Sequence, residues 1–205
     1  MRKLFGSVLF GFVFLMACGN SSPNERNNEA EQEKPNVEEA QSVDDQHACD
    51  LLDVNKIADI LGLDANQIES LREDFSNMQT CMMSSTELSE EGDKVDFLNL
   101  TITEDDDGSF DFENAIKYQL DNKTIRVPAG PDKGKDVPLK SVEGLRGYGA
   151  MHSAAHYSVL NFNEGKSKRY SLTLYRKIPG NFVFDGIEGD SEELETYLVE
   201  IAKTL

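Results

Sequence analysis

Tryptophan is absent from this 205-residue chain, and cysteine occurs only three times. A core without Trp must be built from Phe, Leu, Ile, Val and Met, all of which are present. Basic residues are scarce beside acidic ones, 20 against 38, for a formal charge of −18. A phosphate backbone is gripped by Lys and Arg that displace its counterions, so this balance excludes a general nucleic-acid binder. Long apolar runs are also missing. The longest, residues 4–16, is about 13 residues, short of the roughly 20 that a membrane-spanning helix needs. There is no Gly-x-Ser-x-Gly, His-Glu-x-x-His, P-loop or Rossmann fingerprint, and no internal repeat.

What the chain does carry begins at its N-terminus. Met1-Arg2-Lys3 is positive, the following run is apolar, and Leu15-Met16-Ala17-Cys18 places a small residue before a cysteine. This is the layout of a secretory leader. It resembles the bacterial lipobox, in which the cysteine is lipidated and becomes the mature N-terminus. Residues 1–17 are therefore read as a lipoprotein signal peptide and Cys18 as the lipidation site. One acyl chain gives only marginal membrane affinity, so stable attachment takes more than one. Gly19 is not the aspartate that retains lipoproteins at the inner membrane, so the expected address is the bacterial envelope, at the outer membrane in a Gram-negative cell. Loss of Arg2 and Lys3 leaves a mature charge of −20.

Residues 18–46 are rich in Asn, Ser, Glu, Gln and Pro and hold almost nothing large and apolar. Too little can be buried there to offset the entropy of ordering, so an acidic disordered tether is expected. Residues 47–205, roughly 160 in number, suffice for one domain that buries about two-thirds of its unfolded surface. With Cys18 assigned to lipid, Cys49 and Cys81 remain as one candidate pair. Export places them where disulfides persist. Bridged, they close a loop of about 33 residues, for roughly 3–4 kcal/mol in the chain-entropy account. A redox or metal role is the rival reading, but no Cys-x-x-Cys spacing supports it.

Hydropathy patterning outlines the elements. Asp53 caps a helix whose Val54, Ile57, Ala58 and Leu61 recur at helical spacing, with Gly62 as the stop. Asp64 with Gln67 resembles a capping box before a helical turn reaching Leu71. Cys81-Met82-Met83 opens a strand, and Val95 to Glu104 is a clearer one with Leu98, Leu100 and Ile102 on one face. Phe110 to Leu120 reads as a helix with Phe112, Ala115, Ile116 and Leu120 inward. A Pro- and Gly-rich excursion fills residues 122–150, a length often functional. Tyr157 to Phe162 and Arg169 to Arg176 read as a hairpin. Asp190 and Glu193 form a capping box for a last helix with Leu194, Tyr197, Leu198, Ile201, Ala202 and Leu205 inward. The sum is an α+β fold, an antiparallel sheet flanked by amphipathic helices with the C-terminal helix packed on it.

Cys49-Asp50-Leu51-Leu52, then Ile57-Ala58, Leu61-Gly62, Cys81, Gly147-Tyr148-Gly149-Ala150 and Ile201-Ala202 resemble a family of small bacterial lipoproteins of unknown function. That family is common in actinobacteria, and the likeness spans residues 48–205. It departs at Met83, where an aromatic is usual, and at Tyr148, where the family turn has aspartate. The resemblance implies an α/β/α layout like that of the oxygen-evolving-complex extrinsic subunits, whose relatives dock and assemble other proteins. It implies no catalytic residues.

Three constellations could carry function. Asp105, Asp107, Gly108, Phe110 and Asp111 nearly trace a calcium loop, so Ca2+ is a candidate ligand. Thr103 and Asn114 stand where carboxylates are expected, and the alternative is an acidic turn capping the next helix. His152 and His156 have the i, i+4 spacing of two ligands on a helix. Extended backbone would set them about 13 Å apart, as ordinary surface or half-buried side chains. Finally, residues 123–177 hold eleven Lys and Arg against Asp132, Asp136, Glu143 and Glu164, so this segment is +7 and the rest of the mature chain −27. Either these charges balance neighbouring carboxylates, or they form a docking patch for an anionic envelope protein or lipid. In the second reading Lys123, Lys133, Lys135, Lys140 and Arg146 steer the partner and Tyr148 anchors in it. The expected function is thus a lipid-anchored, non-enzymatic binding or accessory module. The alternatives are a calcium- or metal-dependent binding module and a carboxylate-based hydrolase.

Overall fold

The computed structural model describes residues 46–178 and 186–205. The expected signal peptide, the lipidation site Cys18 and the tether up to residue 45 lie outside the described residues.

Two short helices come first, α1 (Ala48–Leu51) and α2 (Val54–Leu61). The Asp53 carboxylate accepts from the amides of Asn55 and Lys56, satisfying donors the first turn of α2 leaves open. Gly62 ends α2 in the left-handed conformation, φ +70°, where a Cβ would be strained. Asp64 caps as expected, but only a 3-10 turn over Ala65–Gln67 follows. In place of a helical turn to Leu71, the chain straightens into β1 (Ile68–Phe75). Its pairing with β2 (Met78–Ser85) satisfies the backbone more completely than a lone turn could.

The sheet continues with β3 (Val95–Glu104), and α3 (Phe112–Asn122) follows it. The 122–150 excursion contains three short strands, β4 (Thr124–Arg126), β5 (Asp136–Pro138) and β6 (Lys140–Val142). Then come β7 (Gly149–Ala154), β8 (Tyr157–Glu164), β9 (Lys168–Tyr175) and α4 (Ser191–Ala202). Seven strands form one sheet in the order β1-β2-β3-β9-β8-β7-β6, antiparallel throughout, while β4 and β5 pair separately. The fold is α+β, with α4 packed on β7, β8 and β9.

Register assigns the two faces. Cys81 lies opposite Leu100, Leu100 opposite Leu172, Leu172 opposite Leu160, and Leu160 opposite Met151. Partners directly across an antiparallel ladder share a face, so this row is one stripe of the core. Leu98, Ile102, Leu174 and Phe162 add to it, and Leu194, Leu198, Ile201 and Ala202 of α4 with Ile57 and Ala58 of α2 close over it. A bulge between Met83 and Ser84 leaves Phe97 without a partner on β2, so Phe97 and Leu98 both enter the core in succession. Cys49 of α1 is joined to Cys81 of β2, fixing the helix to the sheet.

The opposite face is polar. One row runs Leu71, Met82, Asn99, Thr173, Val159, His152, and the next runs Glu73, Thr80, Thr101, Ser171, Asn161, Ala150. A third contains Phe75, Met78, Thr103, Arg169 and Asn163. Phe112 of α3 lies against Arg169, so α3 sits on this face, over β7 and β8. Val127 and Val137 from the β4–β5 pair pack on Ala154, Tyr157 and Val159 at one end of it.

Candidate functional site

Most of the cations counted between residues 123 and 177 meet carboxylates. Lys135 bonds Asp132 at 2.6 Å, Arg146 bonds Glu164 and the carbonyl of Leu205, Lys168 bonds Glu104, and Lys166 faces Asp111 at 3.5 Å. Lys140 reaches Glu195, a carboxylate of α4 whose side chain is only 10% exposed. The same carboxylate accepts from the Ser153 hydroxyl at 2.8 Å, and Ser153 meets the fully buried Ser158 at 2.7 Å. Lys140 is therefore part of the fold's internal chemistry. Of the expected steering residues, Lys123 and Lys133 remain exposed, and no ion pair holds them among the described residues. Arg126 shares their state and lies between them on β4.

These three cations belong to the β4–β5 excursion, whose geometry is fixed locally. Lys123 caps α3 in the left-handed conformation, φ 60°, with its amide donating to Leu120. The Asp132 carboxylate accepts from the Ala155 amide at 2.7 Å, tying the excursion to the β7–β8 turn. Lys135 beside it and this amide hold Asp132 below the usual carboxylate range. Gly130 has φ +80° and packs against the His156 ring, with no room for a Cβ.

Tyr148 is 45% exposed, with Lys117 of α3 4.3 Å from its ring centroid. Its backbone amide donates to Asn163 Oδ1 at 2.8 Å. Both flanking glycines allow close approach: a Cβ at Gly147 would fall 2.3 Å from the Asn163 carbonyl oxygen, and one at Gly149 2.9 Å from that of Val142. Tyr118, 69% exposed, and Phe110, 50% exposed, sit at α3 and its approach. These aromatic side chains stand exposed, and the cation beside Tyr148, Lys117, is itself paired with Glu113 at 2.6 Å. Tyr118 is missed in the sequence, and Arg126 is counted there among the eleven cations of residues 123–177 without being placed among the steering residues. The helical stripe of α3, which puts Ile116 inward and Tyr118 outward, is the signal for the first.

The acidic loop is internally engaged. Asp105 accepts from the Ser109 hydroxyl and the Phe110 amide, Asp107 from the Ser109 amide, and Asp111 caps α3 through Asn114. The Ser109 bonds hold Asp107 low and the Asn114 amide holds Asp111 low. Their oxygens serve the turn and the cap, and among the described residues no group of three or more His, Cys, Asp or Glu is placed to hold a metal ion.

His152 lies within β7 and His156 in the turn after it, so their backbone is not helical. Both are more buried than the sequence suggests, at 5% and 8% exposure, and each packs edge-on against Tyr157. Burial pushes the pKa of His152 down, and that of His156 too, where Asp132 opposes the shift. Among the described residues no helix is long and apolar enough to cross a membrane.

No family model matches the chain, no curated protein matches it, and no solved structure matches it.

Proposed function

We propose that this chain is a lipid-anchored lipoprotein of the bacterial envelope whose domain binds an anionic envelope component without catalysing a reaction. The leader pattern of residues 1–17 followed by Cys18 supports the anchor, and the Cys49–Cys81 bridge is in keeping with export to an oxidising compartment. The observation that carries the binding reading is the set of exposed cations on the β4–β5 excursion, Lys123, Arg126 and Lys133, in a protein of net charge −18. On so acidic a body, local positive charge is the feature that draws an anionic partner against the general repulsion. Tyr118 and Tyr148 supply apolar area for the contact. Lys135, Lys140 and Arg146, already ion-paired, orient the surface.

Crosslinking in intact envelopes followed by capture of the chain tests this. Charge reversal at Lys123, Arg126 and Lys133 together removes the captured partner while the thermal midpoint stays within about 2 °C, since exposed substitutions of this kind shift stability by under about 0.5 kcal/mol. Unchanged capture by the triple variant refutes the docking surface. Mass spectrometry of the native N-terminus addresses the anchor separately, and an unmodified Met1 refutes it.

A further inference from the structure

Arg169 is an anomaly in the fold. It stands on β9 on the polar face of the sheet, half-buried, and its guanidinium makes no hydrogen bond and no ion pair with any described residue. Its Nε is fully sealed from solvent and unsatisfied. Burial alone pulls its pKa down, with no carboxylate to offset the loss of hydration. A guanidinium carries five N–H donors, and a desolvated one is ordinarily matched to acceptors. The Phe112 ring, 5.3 Å away, covers a face of the guanidinium and uses none of its donors.

A second orphan stands beside it. Thr103 lies directly opposite Arg169 across the β3–β9 ladder, is 8% exposed, and its Oγ1 is buried without a partner. Side chains opposed in this way have Cβ atoms about 5 Å apart. On the other flank Asn163 has both ends of its amide engaged, by Tyr148 N and Gly165 O, so it supplies no acceptor to the arginine. Ser171, two residues along β9, adds a hydroxyl on the same face. This cluster of donors, one fork and adjoining hydroxyls, has no acceptor among the described residues.

We propose that Arg169, with Thr103, is an oxyanion-binding site on the polar face of the sheet, taking the carboxylate or phosphate group of a small molecule. The guanidinium offers two parallel donors to two oxygens of the ligand, and the Thr103 hydroxyl donates to one of them. Phe112 holds the guanidinium plane in place. The site is distinct from the β4–β5 cations.

The test is titration of the purified full chain with inorganic phosphate and, separately, with acetate, against chloride at matched ionic strength. Binding is read by calorimetry and by the 1H–15N signal of the Arg169 Nε–H. The expected result is saturable binding of at least one of the two anions, with a dissociation constant on the order of 1 mM, and a shift of that signal. The anion that binds identifies the headgroup. Arg169→Gln weakens binding at least about tenfold. Arg169→Lys, which keeps the charge but loses the fork, also weakens it. Thr103→Val, which removes the hydroxyl at nearly constant shape, gives a smaller loss. Titrations no different from chloride, or binding that survives Arg169→Gln, overturn the proposal. Should Arg169→Gln not fold, the Nε–H signal of the parent decides alone: no shift up to 50 times the expected constant refutes the site.

Discussion

Removing Lys140 tests whether a surface cation belongs to docking or to the fold. Its ammonium meets Glu195, whose side chain is 10% exposed, while Lys140 itself is 55% exposed. Breaking a fully buried pair by deleting one partner costs about 3–5 kcal/mol, because the remaining charge is stranded. Here the lysine end is wet, and Glu195 keeps the Ser153 hydroxyl, so a discount of about half applies and Lys140→Met should cost roughly 1.5–2.5 kcal/mol. With a urea slope of about 2 kcal/mol/M, the midpoint falls by about 1 M. Lys140→Glu sets a second carboxylate beside the first. At about 6 Å and an effective dielectric of about 20, that adds roughly 2–3 kcal/mol. The assay is equilibrium urea unfolding at pH 7 of the parent, Lys140→Met, Glu195→Gln and the double variant. Glu195→Gln relieves the stranded charge, so the double variant should recover at least about 1 kcal/mol relative to additivity. A Lys140→Met midpoint indistinguishable from the parent, or strict additivity in the cycle, refutes the argument and returns Lys140 to the pool of free steering charges.

Three further outcomes follow from the same geometry. His152 and His156 have pKa values held below the usual 6.5 by burial, so the unfolded chain binds protons that the folded chain refuses; stability is therefore full above about pH 6.5 and falls as the pH drops below it, by up to about 1.4 kcal/mol per pH unit for each histidine. Urea midpoints at pH 7.5 and 5.0 measure this, and His152→Gln should flatten the difference. Gly130→Ala combines a left-handed backbone with a Cβ 2.0 Å from His156 Cε1, so it should cost about 1–3 kcal/mol and move the His156 ring signals in an NMR spectrum. Reduction opens a loop spanning a sequence separation of 32, and Cys49→Ala with Cys81→Ala also leaves a gap at the fully buried Cys81; a loss of roughly 3–5 kcal/mol by calorimetry is expected for the double variant.

Elements buried on one face were legible because their periodicity records that burial. Val95 to Glu104 alternates and is β3, and the Asp190–Glu193 box opens α4 as expected. The start of β1, up to Leu71, suggests a helical turn for the opposite reason. Seven of its eight residues are exposed, and Ile68-Glu69-Ser70-Leu71-Arg72-Glu73-Asp74-Phe75 carries no buried alternation. Such an edge is set by pairing with β2 and guarded by its charges, neither of which shows in its own hydropathy. β4, β5 and β6, three residues each, are too short for any period to register.

Charge was harder to read than apolar pattern, because counting along a segment omits the partners the fold brings in. Lys140 meets Glu195, Lys166 Asp111, Lys168 Glu104 and Lys177 Glu188, all carboxylates outside residues 123–177, so four of the seven excess charges are matched in space. The same reasoning identifies what remains. A cation whose neighbours across both adjacent strands are Thr103 and Asn163, with no carboxylate opposite, has been left without a counter-charge by the register itself. Alternation puts Tyr170 in the core and turns Arg169 to the polar face, where Phe112 then covers it. A chain with 38 carboxylates could supply a counter-ion at modest cost, for instance at Thr103. That it instead places a hydroxyl there is what makes an external oxyanion the natural complement. Introducing the missing charge sharpens the point: Thr103→Asp should pair with Arg169 within the fold and abolish anion binding without loss of the domain's thermal midpoint. If anion binding persists in Thr103→Asp, the arginine is not the receptor.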